Sequence, residues 1–204
     1  MKRKRRKLQS SNANLYFNRG LSKMNMGNYK GAIAEFDKFI RLEPNNPYAY
    51  HNRGIAKDHL QQHEAAITDF DAAIRLKPDF AIAYSSRGIA KMNLGEGQTE
   101  IADYDMAIHL DPNLIVAYYN RGVANGEGGQ YDAAIADFSE IIRLQPDFAA
   151  AYHDRGIARS LKDDIQGARK DFQKAVDLAK STGDMFLAES AAMKLDDLER
   201  HNQE

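Results

Sequence analysis

The chain has 204 residues, 43% hydrophobic and 28% charged, and no apolar run approaches the ~20 residues needed to span a bilayer. It has no cysteine, which excludes a disulfide framework and a thiolate nucleophile. Of its 28 basic residues six form one block, Lys2, Arg3, Lys4, Arg5, Arg6 and Lys7, leaving 22 basic against 29 acidic, a body of net charge −7. Such a body is a poor surface for phosphates, so the folded part is expected to bind no nucleic acid.

The basic block is followed by Leu8, Gln9, Ser10, Ser11 and Asn12, with no apolar stretch of the kind a secretory signal carries. Residues 1–12 are expected to be disordered, because like charges repel and nothing there can enter a core. The expected location is cytoplasmic. A nuclear-import or nucleic-acid patch and a membrane-proximal segment are the other readings of the tail.

From Ala13 onward the chain repeats itself. Arg-Gly recurs at Arg19-Gly20, Arg53-Gly54, Arg87-Gly88, Arg121-Gly122 and Arg155-Gly156, always 34 residues apart. Three residues before each arginine stands Tyr16, Tyr50, Tyr84, Tyr118 or Tyr152, and sixteen after each glycine stands Phe36, Phe70, Tyr104, Phe138 or Phe172. Ala32, Ala66, Ala134 and Ala168 lie four before that aromatic, and Pro44, Pro78, Pro112 and Pro146 close the first four units. In the second unit Tyr50, Gly54 and Lys57 share one helical face. Gln61-Gln62 interrupts it, and Ala66, Ile67, Phe70, Ala73 and Ile74 form a second apolar stripe. This is a helical hairpin. A glycine recurring in mid-helix implies close helix approach, with the downstream aromatic over the missing side chain.

In its aromatic, glycine, alanine, aromatic and proline positions the pattern resembles the tetratricopeptide repeat, over Ala13 to about Thr182. The resemblance implies an all-α, right-handed α-solenoid of five helix-turn-helix units (13–46, 47–80, 81–114, 115–148 and 149–182). The fifth unit has Lys180 in place of the proline, and a capping helix at 183–204 carries Leu187, Ala191, Leu195 and Leu198 on one face. In the third unit Gly97 stands where the first and fourth have Tyr29 and Tyr131, and Glu100 replaces the small alanine, so a loosened or shifted helix start is expected there.

An acid precedes each downstream aromatic, sixteen residues after each arginine, and the hairpin sets the two level. The expected ladder is Arg19 with Glu35, Arg53 with Asp69, Arg87 with Asp103, Arg121 with Asp137 and Arg155 with Asp171. Carboxylates elsewhere have no partner suited to general acid or base work, so no catalytic residue is named and an enzyme is not the reading. His59 and His63 have metal-binding spacing but straddle the turn, and no third ligand is evident; neither metal nor cofactor is expected. Gly95, Gly97, Gly126, Gly128 and Gly129 are turn glycines without the context of a phosphate loop.

In the family the first helices line a concave peptide-binding surface. Carried over, its positions put Asn14, Phe17, Asn18, Tyr48, His51, Asn52, Ser85, Met92, Tyr119, Asn120 and His153 in the groove, a mixture of apolar bodies and amides suited to an extended peptide or amphipathic helix. The resemblance implies a protein-protein interaction scaffold whose partner is another protein. A self-assembling homo-oligomer is the alternative, and an adaptor for nucleic acid or a membrane surface through the tail the third. Phe17 and Leu21, His51 and Ile55, Ser85 and Ile89 stand where family members that clamp acidic chaperone tails carry lysine and asparagine, so no such tail is expected to bind.

Overall fold

A computed structural model describes the backbone of residues 2–95 and 99–201 and the side chains of residues 13–95 and 99–200. Among the described residues there are eleven helices and no strand. They fall into two compact units, residues 1–112 and 113–204. None of the helices is long and apolar enough to cross a membrane.

The first unit comprises α1 (Lys2–Asn25), α2 (Tyr29–Leu42), α3 (Pro47–Asp58), α4 (His63–Leu76), α5 (Ala81–Leu94) and α6 (Ile101–Leu110). Consecutive helices pack against one another, and the first helices of successive hairpins, α1, α3 and α5, also touch. The second comprises α7 (Ile115–Glu127), α8 (Tyr131–Leu144), α9 (Ala149–Ser160), α10 (Ile165–Thr182) and α11 (Met185–His201), packed in the same way.

Two features of the repeat build each hairpin. Gly54 lies so close to Phe70 that a Cβ there would stand 2.7 Å from the ring, and Gly20, Gly88 and Gly156 meet Phe36, Tyr104 and Phe172 as closely. The turns use one left-handed residue at a constant place, Gly27, Gln61, Gly95, Gly129 and Asp163, with φ between 59° and 74°. Asn28 and Asp164 then cap α2 and α10 by accepting hydrogen bonds from Gly31 and Gly167, both at 2.9 Å. The repeat tyrosine ties the hairpin to the turn before it: Tyr84 and Tyr152 donate to the carbonyls of Pro78 and Pro146.

Two departures are clear. The backbone of the basic block, expected to have no regular structure, continues α1 from Lys2. Lysine, arginine, leucine and glutamine are good helix formers, and no glycine or proline precedes Gly20. In the third hairpin α6 starts at Ile101, four residues later than its counterparts, and has 10 residues where α2, α4 and α8 have 14. Glu100 replaces the small alanine at this contact and gives the helix no side-chain cap. Gly97 lies outside the described residues.

Candidate functional site

The arginine row is the most regular polar feature. Arg53 donates to Asp69 from Nε (2.9 Å) and Nη2 (2.6 Å), a bidentate fork, and Arg87, Arg121 and Arg155 hold Asp103, Asp137 and Asp171 in the same way. All four carboxylates are buried. Burial works against the charge of Arg53, but Asp69 and then Asp37 overcome it and leave the guanidinium more basic than usual. At Arg87 the bond it donates to Asp103 is the dominant cause, and it too raises the basicity of the guanidinium. Each of these arginines also lies over its repeat tyrosine, 5.4 Å from the ring centre at Arg53 and Tyr50.

The first rung differs from expectation. Arg19 is exposed, and Glu35 is held instead by Lys23 at 2.8 Å and Lys38 at 3.2 Å. The bond from Lys23 keeps the Glu35 carboxyl below the ordinary carboxylate range. The cause is positional. In the second and third hairpins Nη1 of the arginine reaches an acid of the preceding hairpin, Asp37 for Arg53 (2.6 Å) and Asp71 for Arg87 (2.5 Å), whereas Arg19 lies in the first hairpin.

Sequence reasoning missed two rows. One is the residue four after each arginine: Lys57, Lys91 and Arg159 pair with Asp69, Asp103 and Asp171 at 2.7, 2.9 and 2.8 Å, and Asn125 donates to Asp137. The other is the residue two after each acid, Asp37, Asp71 and Ser139. Both recur every 34 residues, and that period was the available signal.

The groove positions divide. Asn14, Asn18 and Tyr48 are exposed, while Phe17, Asn52, Met92, Tyr119, Asn120 and His153 are half-buried. His51 and Ser85, expected to face a ligand, are 7% and 0% exposed and act as wall rather than surface. Burial lowers the His51 pKa to about 4, so its ring is neutral at pH 7, and its Nε2 lies 3.1 Å from Ser86 Oγ. His153 spans Asp154 and Ser190, and Tyr119 donates to Asp154 at 2.7 Å. Burial first and then Asp154 raise the Tyr119 pKa, so the phenol keeps its proton. Asn52 and Asn120 bond to carbonyls of their own helices, Tyr48 and Val116. His63 bonds to Asp58, and His59 stacks on Tyr29 with ring centres 4.3 Å apart, so the two histidines do not converge.

On the first-helix side of the second unit, α7, α8 and α9 line an open, largely apolar cavity of about 430 Å³. Val123, Gly126, Tyr131, Phe138, Ile157 and Leu161 line it, and Leu161 is 57% exposed. Glu127 stands at its rim.

Hairpins locked internally by a glycine-aromatic contact and by arginine-carboxylate forks define an α-helical repeat protein. The chain belongs to the tetratricopeptide repeat family: models of this repeat match residues 13–46, 35–68, 59–95 and 115–148. No curated protein matches it. Among solved structures it is similar to the MamA protein, with 27% identity over 86% of this chain and 96% of that one and a TM-score of 0.73. It is similar in fold to YrrB, described as a tetratricopeptide protein with an unusual peptide-binding site, with 21% identity over 87% and 90% of the two chains and a TM-score of 0.69. It is likewise similar to yeast Tom70, with 20% identity over 97% of this chain and 42% of that one and a TM-score of 0.77.

Proposed function

We propose that the chain is a protein-protein interaction module that holds an extended peptide or amphipathic helix of a partner against the first helices of its hairpins. The observation that carries this reading is the apolar cavity of the second unit, open to solvent beside the exposed Leu161 and lined from the helices that the family uses for ligands. Apolar burial there supplies affinity. In the first unit the exposed Asn14, Asn18 and Tyr48 supply amides and an aromatic body on the corresponding side. Family membership and the likeness in fold to a peptide-binding protein support the same class of role. Calorimetric titration with apolar and with acidic peptides tests it. Binding of the apolar class in the micromolar range, weakened by Leu161→Asp or Tyr48→Ala, is the expected result. Tight, salt-sensitive capture of the acidic class would overturn it.

A second reading, self-assembly, is favoured by α11, where Phe186 is 86% exposed and Met185 and Met193 are 53% and 58% exposed. Sedimentation velocity over a concentration series separates the two. A mass that rises with concentration and falls back to the monomer on Phe186→Ser supports assembly.

A further inference from the structure

The cavity of the second unit has a specific cause in the sequence. Its floor is Gly126, which holds the place of Met24 in the first hairpin and Met92 in the third. In the first hairpin Met24 fills the equivalent space, packed with Leu21 and Tyr29 against Ala32, Phe36 and Ala56. There Tyr29 is also covered by the stacked ring of His59. In the fourth hairpin the aromatic walls persist as Tyr131 and Phe138, but Met becomes Gly126, Leu21 becomes the shorter Val123, and the place of His59 is taken by Leu161. A Cβ built at Gly126 meets only Ala134, at 3.9 Å. The space therefore has the walls of a methionine site without the methionine.

We infer that this cavity is a specificity pocket for an unbranched, methionine-like side chain of a partner peptide that carries a cationic residue beside it. The inference rests on the proposed peptide-binding role and deepens it. Thioether and n-alkyl chains adapt to a slot between aromatic rings, and sulfur adds a favourable contact with ring edges. The cationic neighbour follows from the rim. Glu127 is the one acid in a row that otherwise reads Asn25, His59, Asn93 and Leu161, and it is exposed. Asp154, the other lining acid, has its oxygens occupied by Tyr119 and His153 and is not free to hold a ligand.

The test uses the full-length ¹⁵N-labelled chain and the probe acetyl-Ala-Lys-Met-Lys-Ala-amide, with versions bearing norleucine, Ile or Ala for Met and Glu for both Lys. Saturable shifts of the Gly122 and Gly126 amides are expected with the Met and norleucine probes, and binding about tenfold weaker with Ala or Ile. The Glu version is expected to bind about threefold more weakly at low salt, a difference that Glu127→Gln removes. Gly126→Met, which closes the pocket from within, should cost about tenfold in affinity with the melting temperature unchanged or raised, whereas Gly126→Ala should retain affinity within about threefold. Equal binding of the Met and Ala probes, unchanged binding by Gly126→Met, or no saturable shift with the Met probe would each overturn the inference. If apolar peptides still bind in a manner sensitive to Tyr48→Ala or Leu161→Asp while Gly126→Met has no effect, the proposed function stands and the pocket assignment alone fails.

Discussion

Arg53 donates from Nη1 to Asp37, a residue of the preceding hairpin, at 2.6 Å, while the other edge of the same guanidinium holds Asp69 of its own hairpin. One side chain thus fixes the hairpin internally and ties it to its neighbour, and Arg87 does the same with Asp103 and Asp71.

The two links differ in weight, because Asp103 is buried and the side chain of Asp71 is 54% exposed. Arg87→Ala should destabilise by about 2–3 kcal/mol, the lower end reflecting Lys91, which remains on Asp103 at 2.9 Å. Asp71→Ala should cost under ~1 kcal/mol, as an exposed pair does. Urea denaturation of both variants checks the order.

Two helical glycines should respond in opposite directions. Gly54→Ala forces a methyl to within 2.7 Å of the Phe70 ring and should cost about 2–3 kcal/mol. Gly126→Ala makes only an ordinary contact, with Ala134 at 3.9 Å, and should gain up to about 1 kcal/mol from helix propensity. Thermal melts of the pair decide the matter.

His51 should make stability depend on acidity. Its folded pKa of about 4 lies below the ordinary value of 6.5, so the unfolded chain binds the proton more readily. Its contribution is therefore full above pH 6.5 and is lost as pH falls toward 4, by about 3 kcal/mol at most. His51→Phe, which copies Phe17 of the first hairpin, should flatten the stability profile over that window.

At the turn position where three of the other four hairpins carry glycine and the fifth carries Asp163, Gln61 adopts φ 59°. Gln61→Gly should raise stability by about 0.5–1 kcal/mol, the relief of left-handed strain exceeding the added freedom of the unfolded chain. A lower denaturation midpoint would contradict this account.

Tyr104 occupies the place of the repeat phenylalanine at 0% exposure, and its hydroxyl has no hydrogen-bond partner among the described residues. Burial, with Glu100 and Asp103 adding to it, raises its pKa. Tyr104→Phe removes an unsatisfied polar atom and should be neutral or stabilising by about 1 kcal/mol, read from the same denaturation curves.

The sequence by itself determined the repeat, the hairpins, the glycine-aromatic contacts and the pairing of Arg53 with Asp69. All of these lie within one unit of 34 residues, where helical period and a short turn leave little freedom. The late start of α6 was legible too, because Glu100 is visibly wrong for its place. Tertiary structure alone decided what depends on side-chain reach and on what packs over each position. It gave Glu35 to Lys23 and Lys38, since several cations compete for one carboxylate and reach and burial choose among them. It turned His51 and Ser85 into wall, because burial at a given helical position is set by what packs over it. And it made Gly126 the floor of a cavity rather than another turn glycine, because an omitted side chain leaves usable space only where the surrounding rings are held in place.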